Sequence, residues 1–187
     1  MGTPASGIAQ PIGRGRPDRV GARLFGLGEH PGQKRGRKAG ANPTDKGKAG
    51  TKRHIVVDKR GVPLSVITSA ANVHDSIVFE ELLDAIEPIK RPGRGRPRKR
   101  PEKLHADKAY DDKKCARALR KRGIKRRIAR KGVESSEKLG RHRWVVERTL
   151  AWVAKYRRLT IRYERRDDIH EAFLSLGCSL ICLNYLL

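Results

Sequence analysis

At 187 residues the chain has room for about one domain. Lys and Arg number 44 against 20 Asp and Glu, a net charge of +24, and hydrophobic residues make up 37%, which means a modest core and excludes a second large domain. A charge this high repels itself unless a polyanion is close, so DNA or RNA is the first partner to expect and an anionic membrane surface the second.

Residues 1–50 are rich in Gly, Pro and Arg, show no sustained period, and read as a disordered basic arm. The ordered domain is expected over 51–187. Arg53–Asp58 and Val62–Thr68 are β-branched runs around the turn signal Asp58-Lys59-Arg60-Gly61, which predicts a β-hairpin. Ser76 as N-cap and the spacing of Ile77, Phe79, Leu82, Leu83 and Ile86 predict a helix over 76–87. Residues 88–103 form a Pro/Arg/Lys linker too polar to pack. A short strand over Leu104–Ala106 ends at Asp107. A basic helix over 112–122, a strand over 124–129, a strong helix over 141–158 and an apolar helix over 168–186 follow. Alternating strands and helices imply a layered α/β domain. A hairpin opening such a sheet belongs to a three-stranded meander, and no strand pattern precedes Arg53. The strand before Arg53 is therefore expected to be missing, or to lie in a region with no strand pattern.

Cys115, Cys178 and Cys182 form no CxxC pair, and Cys178 and Cys182 read as buried free thiols, which fits a reducing cytoplasm. The N-terminus has no apolar signal core. The uncharged run Ala172–Leu187 is 16 residues, short of the roughly 20 that span a bilayer, and reads as a buried helix rather than a tail anchor. No membrane partner is expected.

Two acids stand out. Asp107 follows a strand, and an acid at a strand's carboxyl end projects into the crevice where α/β sheets hold ligands. An N-cap or a solvated turn is the other reading. Glu147 lies in RHRWVVERTLAW, where Trp144, Val145, Val146, Leu150, Trp152 and Val153 supply buried surface. Arg143, Glu147, Ala151 and Lys155 recur every four residues on one stripe. These charges could be i,i+4 pairs on a solvated face. Alternatively, small Ala151 leaves space beside an acid flanked by bases, which suits a divalent ion with a phosphate beside it.

GANPTDKGKAGTKRHIVVDKRGVPLSV, ANVHD, LHADKAYD and RWVVERTLAW, in this order, resemble the C-terminal half of bacterial DDE transposases of the insertion-sequence-five type. The resemblance covers about residues 37–187, and Arg143-x3-Glu147 matches the third-acid signature. It implies a ribonuclease-H-like fold, with Asp107 as the second catalytic acid and Glu147 as the third. The first acid of the family lies on the first strand. Here Asp18 is the only Asp of that stretch and carries no such assignment, so the fold is expected to be incomplete at its first strand. Gln33-Lys34-Arg35-Gly36 can be encoded by a slippery run of adenines and guanines, and residues 1 to about 35 are hypothesised to be out of frame.

Cutting a phosphodiester with water and then joining it with a 3′-hydroxyl requires charge neutralisation on attacking and leaving oxygens, which two Mg²⁺ ions supply. The resemblance implies that Asp107 bridges both ions and that Glu147 holds one. Arg143 and Lys155 would contact DNA phosphates, or Arg143 would position Glu147. His74-Asp75 resembles a family element, with Asp75 as support for the site or as an Asx turn. His105, two before Asp107, shares its strand face and reads as packed.

Arg94-Gly95-Arg96-Pro97 resembles the core of an AT-hook, which makes Arg94, Arg96, Arg98 and Lys99 candidate minor-groove contacts. Arg/Pro/Gly linkers also produce the pattern by chance. Arg14-Gly15-Arg16-Pro17 repeats it. Residues 113–131 hold eleven Lys/Arg and no acid, a further DNA-contact candidate.

The expectation is thus a bacterial, cytoplasmic, nucleoid-associated transposase acting on insertion-sequence ends and target DNA. It is expected to be inactive alone for want of the first acid, and to act as a homodimer or paired with an upstream-frame product. A non-catalytic DNA-binding regulator of transposition is the alternative. A basic RNA-binding or ribosomal protein would explain the charge, but not Asp107 with Glu147.

Overall fold

The β-branched residues after Thr51 pair across a tight turn with those after Gly61, and this hairpin frames the sheet. The structure, a computed structural model, describes residues 21–26, 30–31, 36, 38–43, 46–90, 95–129 and 136–187, with side chains except over 21–26, 30–31 and 136–143. In chain order the elements are β1 (Gly21–Gly26), β2 (His30–Pro31), β3 (Gly40–Ala41), β4 (Ala49–Val57), β5 (Pro63–Ala70), α1 (Phe79–Asp84), β6 (Lys103–Ala106), a 3-10 turn (Lys108–Tyr110), α2 (Lys113–Lys121), β7 (Lys125–Ile128), α3 (Ser136–Ala154), α4 (Arg157–Thr160) and α5 (Asp167–Leu183).

The sheet runs β2-β4-β1-β6-β7, and β3 and β5 also pair with β4. β4 and β5 are antiparallel, joined by a turn in which Asp58 Oδ1 accepts from the backbone N–H of Arg60 (2.8 Å) and Val62 (2.9 Å). Because side chains alternate along a strand, the sheet has two apolar faces. Val56, Leu104 and Ala106 face α1 and α2, where they meet Phe79, Leu82, Cys115 and Leu119. Ile55 and Val57 face the other way and meet Val145, Val146 and Val153 of α3, with Leu159, Leu174, Cys178 and Ile181 beyond.

Several expectations are corrected. The first strand is present: β1 lies in the middle of the sheet, antiparallel to β4 and parallel to β6. Its Gly-Ala-Arg-Leu-Phe-Gly lacks a strong strand pattern, and it is held as a strand by neighbours on both sides. With β2 and β3, strand structure therefore begins well before residue 51. Ser76 is not the N-cap of α1. Its hydroxyl pairs with His74 Nδ1 (2.8 Å), and the helix starts at Phe79. The 88–103 linker is not free of structure, since Ile89 and Arg98 exchange backbone hydrogen bonds, both 2.9 Å, and Pro101 is buried.

α5 is half-buried rather than buried. Leu174, Gly177, Cys178 and Ile181 face the core, while Leu176, Leu180 and Leu183 face out, and Cys182 is only partly covered. No described helix is long and apolar enough to cross a membrane. The repeat Arg14–Pro17, Asp18 and the slippery segment's Gln33–Arg35 lie outside the described residues.

Candidate active site

Asp107 ends β6 and begins the 3-10 turn. Its backbone is still extended (φ −71°, ψ 166°), and its Oδ1 accepts from the Lys108 N–H at 2.7 Å. It therefore caps the turn from the carboxyl end of a strand. The half-buried side chain meets no further hydrogen-bond donor among the described residues, which leaves the second oxygen available. Leu104 and Ala106 point towards α1 and α2, so alternation puts Lys103, His105 and Asp107 on the face that carries α3.

α3 packs across β1 and β4. Its rotation is set by Val145, Val146, Thr149 and Val153, all buried. Thr149 Oγ1 donates to Gly61 O at 2.7 Å, and Arg148 donates to Arg60 O, so the helix is pinned to the hairpin turn. The predicted stripe then emerges on the outside: Glu147, Ala151 and Lys155 are exposed, and the Arg143 side chain lies outside the description. Trp144 was expected in the core but is 49% exposed, because Arg148 stacks between it (4.5 Å) and Trp152 (4.7 Å). Asp107 and Glu147 thus flank β1, one on the neighbouring strand and one on the helix above it.

β1 reads GARLFG and carries no carboxylate. The pair Leu24–Ala106 makes Phe25 the β1 position level with Asp107. Magnesium is commonly held by one or two carboxylates, with water and substrate phosphate oxygens completing the shell. Asp107, half-buried with one oxygen outside the turn, and Glu147, exposed, are carboxylates of that kind. A second ion needs another acid, and no group of three or more metal-capable His, Cys, Asp or Glu side chains is present among the described residues.

Sequence reasoning missed a polar network behind Asp107. His54 on β4 is fully buried between Ser69 Oγ (2.8 Å) and Tyr110 Oη (3.3 Å), and Tyr110 closes the 3-10 turn through its N–H to Asp107 O (3.0 Å). Burial pushes the His54 pKa down from 6.5 to about 4; Asp75 opposes the shift and Lys52 reinforces it. Asp75 itself is buried and pairs with Lys52 at 3.2 Å, on the α1–α2 side of the sheet, the opposite side from Asp107. The signal available in the sequence was a histidine inside the apolar run RHIVVD.

Described basic residues stand on both sides of the sheet. On the α3 side, parallel register sets Lys103 beside Lys125 and His105 beside Arg127, next to Asp107. His105 is half-buried there rather than packed in the core. On the other side, Lys99 shares a cleft of about 320 Å³ with Arg100, Lys121 and Arg122. Arg96 and Arg98 are exposed, and Arg94 is outside the description.

A family model described as the Transposase DDE domain matches residues 22–184, a span that opens inside β1 and contains both acids. The chain belongs to the DDE transposase family. This transposase chain is 48% identical over 189 residues to a Burkholderia cepacia protein named "Putative transposase for insertion sequence element IS402", covering 100% of this chain and 88% of the relative. Among solved structures, a chain of a simian T-cell lymphotropic virus intasome complex with a PP2A regulatory subunit superposes with a TM-score of 0.54 at 16% identity, over 90% of the transposase chain and 50% of that chain. The bovine immunodeficiency virus (BIV) integrase catalytic core gives a TM-score of 0.43 at 11% identity, over 86% and 81% of the two chains. The transposase fold is ribonuclease-H-like, as in retroviral integrase cores. Divalent metal ions are the cofactors of this family, and DNA is its substrate.

Proposed function

We propose that Asp107 and Glu147 are two of the carboxylates through which this DNA transposase binds Mg²⁺ for strand cleavage and strand transfer, and that the chain alone is inactive or nearly so. What carries the reading is that both acids belong to the α3 side of the sheet and flank β1, whose residues include no acid. The bound ions would neutralise charge on the attacking and leaving oxygens of the phosphodiester. Asp107 would serve two ions and Glu147 one, so the missing acid weakens a site that the chain only partly builds.

Arg143, one turn before Glu147, and Lys155, two turns after it, would hold phosphates beside it or fix its rotamer. Lys103, Lys125 and Arg127 would steer the same strand towards Asp107. Arg94, Arg96, Arg98 and Lys99 would contact the minor groove. The insertion-sequence-five type, a homodimer, and a first acid supplied by an upstream-frame product belong to the same proposal.

Purified chain with Mg²⁺ and an end-labelled duplex is expected to nick no faster than its Glu147→Gln variant. Cleavage that Glu147→Gln abolishes would refute inactivity while keeping the acids. Cleavage that survives both Asp107→Asn and Glu147→Gln would refute the assignment of the acids.

A further inference from the structure

The outer face of α2 is a second cationic surface, on the far side of the sheet from Asp107. Lys113, Lys114, Arg117, Arg120 and Lys121 are all exposed, while Cys115, Ala118 and Leu119 point into the core. At about 100° per residue, the five cations fall within an arc of about 120° on a helix about 13 Å long. None of the five forms an ion pair with a described residue. The acids nearby are engaged: Asp84 and Glu80 bind Arg122 (2.7 and 3.3 Å), Asp111 binds Arg126, and Asp112 caps the helix through the Lys114 N–H (2.8 Å). At the C-terminal end of α2 the face continues into the cleft where Lys121 meets Lys99 and Arg100.

This face is costly to the fold. Like charges crowd one arc, and Lys113 and Lys114 sit in the first turn, where the helix dipole disfavours cations. A duplex carries one charge per about 1.7 Å of its axis, which matches so dense a row. The α2 face looks away from the side of the sheet that carries α3 and Glu147. Helix, sheet and helix put on the order of 30 Å between the two outer surfaces. DNA with a persistence length of about 150 bp does not fold around so small a body.

Resting on the reading of the chain as a transposase, we infer that the α2 face, with Lys99 and Arg100, binds a second DNA duplex while the α3 side holds the first. One copy of the chain then bridges two duplexes. The Lys and Arg of α2 contact phosphates, which carry no sequence information, while Lys99 meets the minor groove of the same duplex.

The test uses the full chain in two measurements: binding of one labelled duplex in solution, and retention of a labelled duplex by beads that carry another. The variant combines Lys113→Glu, Arg117→Glu and Lys121→Glu, all on the exposed arc, with the corresponding Gln variant as a second form should charge reversal disturb folding. Wild type is expected to bind and to bridge, and the variants to lose bridging by about tenfold or more while single-duplex affinity falls by clearly less. Undiminished bridging by the variants would overturn the α2 assignment and leave the DNA-binding reading standing. Complete loss of single-duplex binding would show α2 to be the sole surface and overturn the two-duplex inference. A wild-type chain that binds no duplex would overturn both.

Discussion

Asp107 spends one carboxylate oxygen on the turn that follows it, and the other is the one proposed to meet a cation. Asn caps as well as Asp, so Asp107→Asn is expected to shift stability by under about 1 kcal/mol while abolishing Mn²⁺ binding. Thermal denaturation and metal titration separate the two effects. Behind it, His54 is held neutral by burial, with a pKa of about 4 against 6.5 in the unfolded chain. The unfolded state therefore binds more protons than the native state between those values. Stability from this group is complete above about pH 6.5 and is lost as pH falls towards 4, by on the order of 3 kcal/mol. Urea midpoints at pH 7 and pH 5 should show the loss, and His54→Gln should flatten it; an equal slope in that variant would assign the acid sensitivity elsewhere. Cys115 and Cys178, pushed up by burial to about 11 and about 12, should resist thiol reagents in the native state.

At the scale of elements, the orientation of Glu147 depends on how α3 sits on the hairpin turn. Gly61 has φ +95°, and a Cβ there would stand 2.9 Å from Thr149 Oγ1. Gly61→Ala should cost about 1–3 kcal/mol through strain and that clash. Thr149→Val should cost about 1–2 kcal/mol by stranding the Gly61 carbonyl. Both are expected to speed proteolysis within α3 before the rest of the domain, and an unchanged cutting pattern would contradict the anchoring role.

The elements most legible in the sequence were those with strong periodicity: β4, β5, β6, α2, β7, α3 and α5 fall within a few residues of expectation. β1 was not legible, because its strand state comes from β4 and β6 on either side, which no local pattern records. The start of α1 was misplaced because the Ser76 hydroxyl bonds to His74 instead of a helix N–H. The exposed stripe of Glu147, Ala151 and Lys155 could be read from spacing alone, and the place of Asp107 at the end of a strand from the apolar run before it. His54 and Tyr110 could not, since they are 56 residues apart and meet only in the fold.

Over the whole molecule, the net charge of +24 is not all available to DNA. Arg53 and Arg162 are buried: Arg53 donates to Leu159 O, and Arg162 donates to Thr51 Oγ1 (2.8 Å), Lys38 O (3.3 Å) and Glu164 O (3.0 Å), so both tie the α4–α5 region to the sheet. Among the described residues, exposed cations stand on both sides of the sheet. Binding to a single duplex should therefore weaken by at least about tenfold between 50 and 200 mM salt, and a flat response would contradict phosphate contact.

Metal-directed cleavage of the protein chain tests the shared carboxylate site most directly. With Fe²⁺, ascorbate and peroxide, hydroxyl radicals formed at the bound ion cut the backbone nearby. Cuts are expected both around Asp107 and around Glu147, with both sets lost in Glu147→Gln and both suppressed by excess Mg²⁺. Cuts around only one of the two acids, or a pattern that Glu147→Gln leaves unchanged, would show that the two carboxylates do not hold one ion.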